Sequence, residues 1–188
     1  MIDDGAKEAL KKGKTRHVFG LIGSATMEIF DALSHEKDIK VIGVRDERTG
    51  AHMADGYARA SNRPGVILAG QNGPGATNLV TGIAQAAAAF SPVVSIAGFI
   101  STKDKIQDAF QGIDQQSLFK PITKKTWTID KAKKIPKIFS QAFNLAMSPR
   151  RGPVQLNLPR NILSETAQFN INKNEKSYET ENLSLNHI

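Results

Sequence analysis

Two stretches of this 188-residue sequence carry residue types that can do chemistry. The first is Arg45-Asp46-Glu47, where two carboxylates and an arginine follow a β-branched run, residues 39–44. A carboxylate at the end of a buried strand, walled by apolar residues, is desolvated and suited to hold or share a proton. The other reading is an ordinary helix-start carboxylate that complements the dipole of a helix over 49–60. The second stretch is Gly70-Gln71-Asn72-Gly73-Pro74-Gly75-Ala76-Thr77-Asn78. Its glycines permit close backbone approach, and the helix that follows offers unpaired N–H groups to a ligand. The spacing is neither Gly-x-Gly-x-x-Gly nor that of a lysine-bearing phosphate loop. A purely structural turn is therefore an equal alternative.

Other chemistries find little support. The chain has no cysteine, which excludes disulfides, thiolate zinc sites and a cysteine nucleophile. His52 lies near Glu47 without ligand-like companions, as do His17, His35 and His187, so no metal site is expected. Ser24 lacks the Gly-x-Ser-x-Gly context of a hydrolase. Asp55 reads as a structural or solvated carboxylate, and Trp127 as core or interface.

A chain of this length, 40% hydrophobic and 23% charged, can bury its own core. The net charge of +7 implies either an anionic partner or a solvated lysine-rich surface. The basic residues are scattered and no aromatics are interleaved among them, which favours the solvated surface over nucleic-acid binding. The start of the chain is polar, unlike a secretory leader. The apolar run 83–100 is broken at Ser91-Pro92, so it reads as helix, turn and strand rather than a membrane span. A cytoplasmic protein is expected.

The elements that must position these residues alternate. Strands are expected over 17–21, 39–44, 65–69, 93–98 and 154–158. Helices are expected over 7–12, 25–33, 49–60, 76–90 and 135–147, with 101–121 irregular. This order predicts an α/β fold: a doubly wound, mostly parallel sheet with helices on both faces. Ligands of such sheets sit at the carboxyl ends of strands, which singles out residues 23–25, 45–47 and 70–75. Residues 1–163 form the expected domain. The Asn-, Glu-, Ser- and Lys-rich stretch 164–188 reads as a linker or disordered tail.

Five segments in order resemble a known family. They are His17-Val18-Phe19-Gly20-Leu21-Ile22-Gly23-Ser24-Ala25; Val44-Arg45-Asp46-Glu47 with Gly50-Ala51-His52-Met53-Ala54-Asp55-Gly56-Tyr57-Ala58-Arg59; Gly73-Pro74-Gly75-Ala76-Thr77-Asn78; Asp108-Ala109-Phe110-Gln111; and Gly152-Pro153-Val154-Gln155-Leu156-Asn157-Leu158-Pro159. The similarity, from about residue 8 to residue 161, is to the amino-terminal, pyrimidine-binding domain of thiamine-diphosphate enzymes of the acetolactate-synthase type. It implies that Glu47 is catalytic, bonding a ring nitrogen of the cofactor's aminopyrimidine, with thiamine diphosphate acting as electron sink. It implies that Gly23, Gly73, Pro74 and Asn78 border the cofactor, and that Ser24, Asn72, Phe110 and Gln111 face the substrate.

Within the family, Gln71-Asn72, Ile22-Gly23-Ser24-Ala25 and the closing strand resemble the sulfoacetaldehyde acetyltransferases, which turn sulfoacetaldehyde and phosphate into acetyl phosphate and sulfite. The alternatives are an acetolactate synthase large subunit, the small subunit of a split 2-oxo acid decarboxylase, or a non-catalytic binding module. Asp46 stands where the family often has histidine, and Arg48-Thr49 where it has Gln-Gly. The sequence has no Gly-Asp-Gly motif, so the diphosphate and Mg²⁺ are expected on another domain of a longer chain or on a partner subunit. A homodimer or tetramer acting on a small anionic substrate is expected.

Overall fold

Short apolar strands, each closed by a glycine or a polar loop, alternate with amphipathic or alanine-rich helices. In the computed structural model, which describes residues 2–106 and 108–165, these strands are β1 (His17–Gly20), β2 (Lys40–Gly43), β3 (Gly65–Leu68), β4 (Val93–Phe99), β5 (Thr126–Thr128) and β6 (Val154–Pro159). The helices are α1 (Ile2–Lys12), α2 (Met27–Ser34), α3 (Glu47–Ser61), α4 (Pro74–Ala88), α5 (Gln115–Phe119), α6 (Ile135–Met147) and α7 (Arg160–Leu163). The strands form one sheet in the order β2-β1-β3-β4-β6-β5, and every pairing is parallel.

Side-chain alternation along the strands feeds two apolar layers. Val18, Val66, Leu68, Val94, Ile96, Leu156 and Leu158 join Leu10, Ile29, Phe139 and Phe143 on the α1–α2–α6 face. Phe19, Ile67, Ala69, Val93 and Ala97 join Ala51, Ala54, Leu79 and Ile83 on the α3–α4 face, with Phe119 of α5. Covering both faces explains why these strands read as nearly continuous apolar runs. The expected α/β doubly wound sheet is the one observed. Helices α3 and α4 start earlier than the sequence reading gave, at Glu47 and Pro74, whereas α2 starts later, at Met27.

Two elements, β5 and α7, escape the sequence reading, and the short α5 lies in the stretch expected to be irregular. β5 is a three-residue edge strand, Thr-Trp-Thr, beside β6. Three half-polar residues give no periodicity to detect. α7 is a single turn. The expected tail lies outside the described residues from 166 onward. Among the described residues no helix is long and apolar enough to cross a membrane, and the run 83–100 forms the end of α4, a turn and β4.

Candidate functional site

The chain leaves β1 toward β2 on one side, and β3 lies on the other, so the strand order reverses between β1 and β3. Sheets of this kind bind ligands at such a reversal, outside the carboxyl ends of the strands. The loops after β1 and β3 are laced together there. The Ala25 amide donates to the Gly70 carbonyl at 3.1 Å, and the Thr26 hydroxyl donates to the Ala69 carbonyl at 2.9 Å. A β-carbon on Gly23 would lie 2.4 Å from the Gly70 carbonyl oxygen. Gly23 therefore owes its identity, within this chain, to backbone packing against Gly70.

Glu47 is the first residue of α3 and is 3% exposed. Two neighbours fix its start. Asp46 caps the helix by accepting from the Arg48 amide at 2.7 Å, and its other oxygen pairs with the Arg48 guanidinium at 3.5 Å. The two departures from the family motif are thus a matched cap and ion pair. The Glu47 carboxyl turns away from this pair toward α4. There Asn78 donates its side-chain amide to Oε2 at 3.0 Å. A β-carbon on Gly75 would lie 3.0 Å from Oε1. Among the described residues Asn78 is the sole side-chain partner of this carboxyl, and no cation reaches it. A buried carboxyl with one amide partner and one oxygen left over suits a ligand nitrogen that gives or takes a proton along a hydrogen bond. The residues present fit the pyrimidine edge of thiamine diphosphate on that ground.

The start of α4 is held from behind by residues that the sequence reading did not single out as functional. Gly73 caps α4 with φ +53°, a conformation glycine adopts freely. Its amide donates to Oε1 of Gln115 at 3.1 Å. The Gln115 amide donates in turn to the Gly98 carbonyl at 3.1 Å and to Asn157 Oδ1 at 3.0 Å. Gln155 donates to the same Asn157 oxygen at 3.0 Å. Gln115, Gln155 and Asn157 are all 0% exposed. The available signal was Gln155 and Asn157 in an otherwise apolar strand, since buried polar side chains seek hydrogen-bond partners, although Gln155 Oε1 finds none among the described residues.

The four residues expected on the substrate side do come together. Ser24, Asn72, Phe110 and Gln111 line one cavity of about 470 Å³, with Gln71, Ser101 and Arg160. That volume falls in the range of small-molecule sites. Gln71 donates to the Ser24 hydroxyl at 2.9 Å, and Asn72 donates to the Gln111 carbonyl at 3.0 Å. Phe110 is 88% exposed. Glu47 and Asn78 do not line this cavity. A β-carbon on Gly75 would meet Glu47 Oε1 at 3.0 Å and the Gln71 β-carbon at 3.2 Å, so Gly75 separates the carboxyl from a residue of the cavity wall. Gly73 and Pro74 likewise form the frame of the α4 start rather than a wall of the cavity. Among the described residues no three His, Asp or Glu side chains gather as metal ligands.

Comparison with known proteins identifies the family of the chain. The family model described as thiamine pyrophosphate enzyme, N-terminal TPP binding domain, matches residues 4–118. The chain is 46% identical over 155 residues to a probable acetolactate synthase large subunit of Methanococcus aeolicus, covering 82% of this chain and 26% of that protein. It is 40% identical over 164 residues to the acetolactate synthase isozyme 3 large subunit of Escherichia coli, covering 87% and 27%. It is 39% identical over 160 residues to the chloroplastic acetolactate synthase of Arabidopsis thaliana, covering 85% and 24%. The chain spans about a quarter of the length of these curated relatives.

Proposed function

The chain belongs to the thiamine pyrophosphate enzymes, as their N-terminal TPP binding domain, and from this premise we propose that it supplies the pyrimidine side of an acetolactate synthase site. The names of the relatives favour this reading over the sulfoacetaldehyde acetyltransferase reading. The observation that carries it is Glu47: buried, uncompensated by a cation, and held by Asn78 at the sheet's switch point.

When bound, the cofactor supplies an electron sink for breaking and forming carbon–carbon bonds beside a carbonyl. Glu47 bonds a ring nitrogen of its pyrimidine and moves a proton there. Asn78 orients the Glu47 carboxyl, and Gly75 leaves room for it. Gly23, Gly73 and Pro74 shape the backbone that borders the cofactor. Ser24, Asn72, Phe110 and Gln111 hold a small anionic 2-oxo acid and exclude water from it. The diphosphate and Mg²⁺ are carried by another domain or by a partner subunit, in a dimer or a higher assembly whose interface the exposed Phe110 and Ile22 would join.

The test is Glu47→Gln in the native protein that contains this chain, assayed for acetolactate from pyruvate and for acetyl phosphate from sulfoacetaldehyde and phosphate. Glutamine keeps the size and the bond to Asn78 but cannot transfer the proton. Acetolactate formation that falls by about a hundredfold or more, as loss of acid–base catalysis predicts, supports the reading. Near-normal turnover overturns the role of Glu47. Acetyl phosphate as the parent's product would restore the sulfoacetaldehyde reading.

A further inference from the structure

At the edge of the sheet opposite Glu47, the amino ends of β1 and β2 and the turn before β3 surround a depression of about 690 Å³. Six lysines and arginines line it against one acid, Asp38. Lys11 is already engaged, 3.0 Å from Glu36 and 3.8 Å from Asp38. Arg16, Lys37, Lys40 and Arg63 make no ion pair among the described residues. The backbone fixes two of these side by side: β1 and β2 pair with His17 beside Lys40, and the Lys40 amide donates to the Arg16 carbonyl at 2.8 Å.

The same wall holds two buried polar atoms without a hydrogen-bond partner, Thr15 Oγ1 and His17 Nδ1, and Thr15 is 7% exposed. Gathering like charges costs stability, and so does an unsatisfied buried hydroxyl. An anion with several acceptor oxygens offsets the first of these costs, since the unpaired Arg16, Lys37, Lys40 and Arg63 line the depression.

We propose that this depression is a binding site for an oligophosphate group, inorganic or carried by a nucleotide. Its volume is that of a small-ligand site. Nucleic acid is disfavoured, because the one aromatic ring in the lining, that of His17, packs edge-on against Tyr57 at 5.3 Å and offers no platform for a base. The site lies across the sheet from the cofactor side and does not depend on the acetolactate synthase reading.

The experiment titrates the native protein that contains this chain with inorganic tripolyphosphate, and separately with ATP, by calorimetry at low salt. Saturable one-to-one binding with a raised unfolding temperature is expected. Replacing Arg16 and Lys40 together by Gln should weaken binding by about tenfold or more. The same exchange at the exposed Lys133 and Lys137 should leave it unchanged. Both charge-reduced proteins should unfold no earlier than the parent when unliganded, so weakened binding is not lost folding. Equal affinity for the two probes shows that the phosphates suffice; tighter ATP binding shows a nucleotide site. The proposal fails if binding is not saturable, if the two double variants weaken it equally, or if single-stranded RNA displaces tripolyphosphate at lower concentration.

Discussion

Gly82 of α4 packs so closely on Ala51 of α3 that a β-carbon on Gly82 would lie 2.4 Å from the Ala51 methyl. This contact sets the separation of the two helices that carry Asn78 and Glu47. Both residues lie on the same pair of helices, four residues before each member of the contact. The short glycine side therefore does more than fill space: it lets a 3.0 Å bond form between the helix starts. Gly82→Ala should overpack the interface, at about 1–3 kcal/mol, and lengthen that bond. Chemical denaturation gives the first effect. Turnover of the native protein should fall by more than the stability loss explains, because a small displacement of a reacting group is costly.

Asn78 separates a positioning role from a bulk one. Asn78→Ala removes one hydrogen bond to a carboxyl and should cost about 1 kcal/mol, while freeing Glu47 to leave its working geometry. Asn78→Asp keeps the shape but sets two carboxyls about 3 Å apart, so that the pair cannot ionise together. The aspartate variant should be the less stable of the two at neutral pH and should regain stability relative to the alanine variant as the solution is acidified. Equal pH dependence in the two variants would show that residue 78 does not face Glu47.

Much of this site was legible because its chemistry is local in the chain. Glu47 follows a strand, Gly73 and Pro74 start a helix, and both positions lie at strand ends whatever the exact boundaries. The doubly wound sheet followed from alternation of strand and helix signals. What could not be read was long-range pairing. Gln115 and Asn157 are 42 residues apart and meet only because β6 inserts between β4 and β5. Nothing in a glutamine's own neighbourhood says that it will be buried. Gly23 was expected at the cofactor, and its tightest constraint proves to be the Gly70 backbone. β5 was missed because an edge strand of three residues draws its order from β6 rather than from its own pattern.

Gln115 tests whether the network behind α4 matters to the site. Its side chain serves three groups, the Gly73 amide, the Gly98 carbonyl and Asn157. Gln115→Leu keeps the bulk but strands the Gly73 amide and removes a donor from the Gly98 carbonyl, while Asn157 keeps its bond from Gln155, so a loss of about 1–3 kcal/mol is expected. Denaturant midpoints measure that loss. Hydrogen exchange at the Gly73 amide, whose acceptor is gone, should accelerate well beyond the global change. A loss below about 1 kcal/mol would mean that water replaces the glutamine and that α4 does not need this anchor.

Asp114 makes the same anchor sensitive to pH. It caps α5, one residue before Gln115, accepting from the Ser117 hydroxyl at 2.6 Å and the Ser117 amide at 3.0 Å. The Ser117 hydroxyl, and then its amide, hold the Asp114 carboxyl below the usual carboxylate range, with desolvation opposing them. A carboxylate with a lowered folded-state pKa contributes stability that is present above the unfolded value, near 3.9, and is lost as pH falls through the folded value. The group is exposed, so solvent screening keeps the effect small. Asp114→Ala should cost about 1 kcal/mol at pH 7, as caps of this kind do. At acid pH, once it has fallen through the lowered folded value and the parent's cap has taken up its proton, the gap between parent and variant should shrink toward that of a neutral cap. Because α5 seats Gln115, the Gly73 amide should also exchange faster in the variant at pH 7. A stability gap that is the same at both pH values would show that the charge of Asp114 plays no part in holding the start of α4.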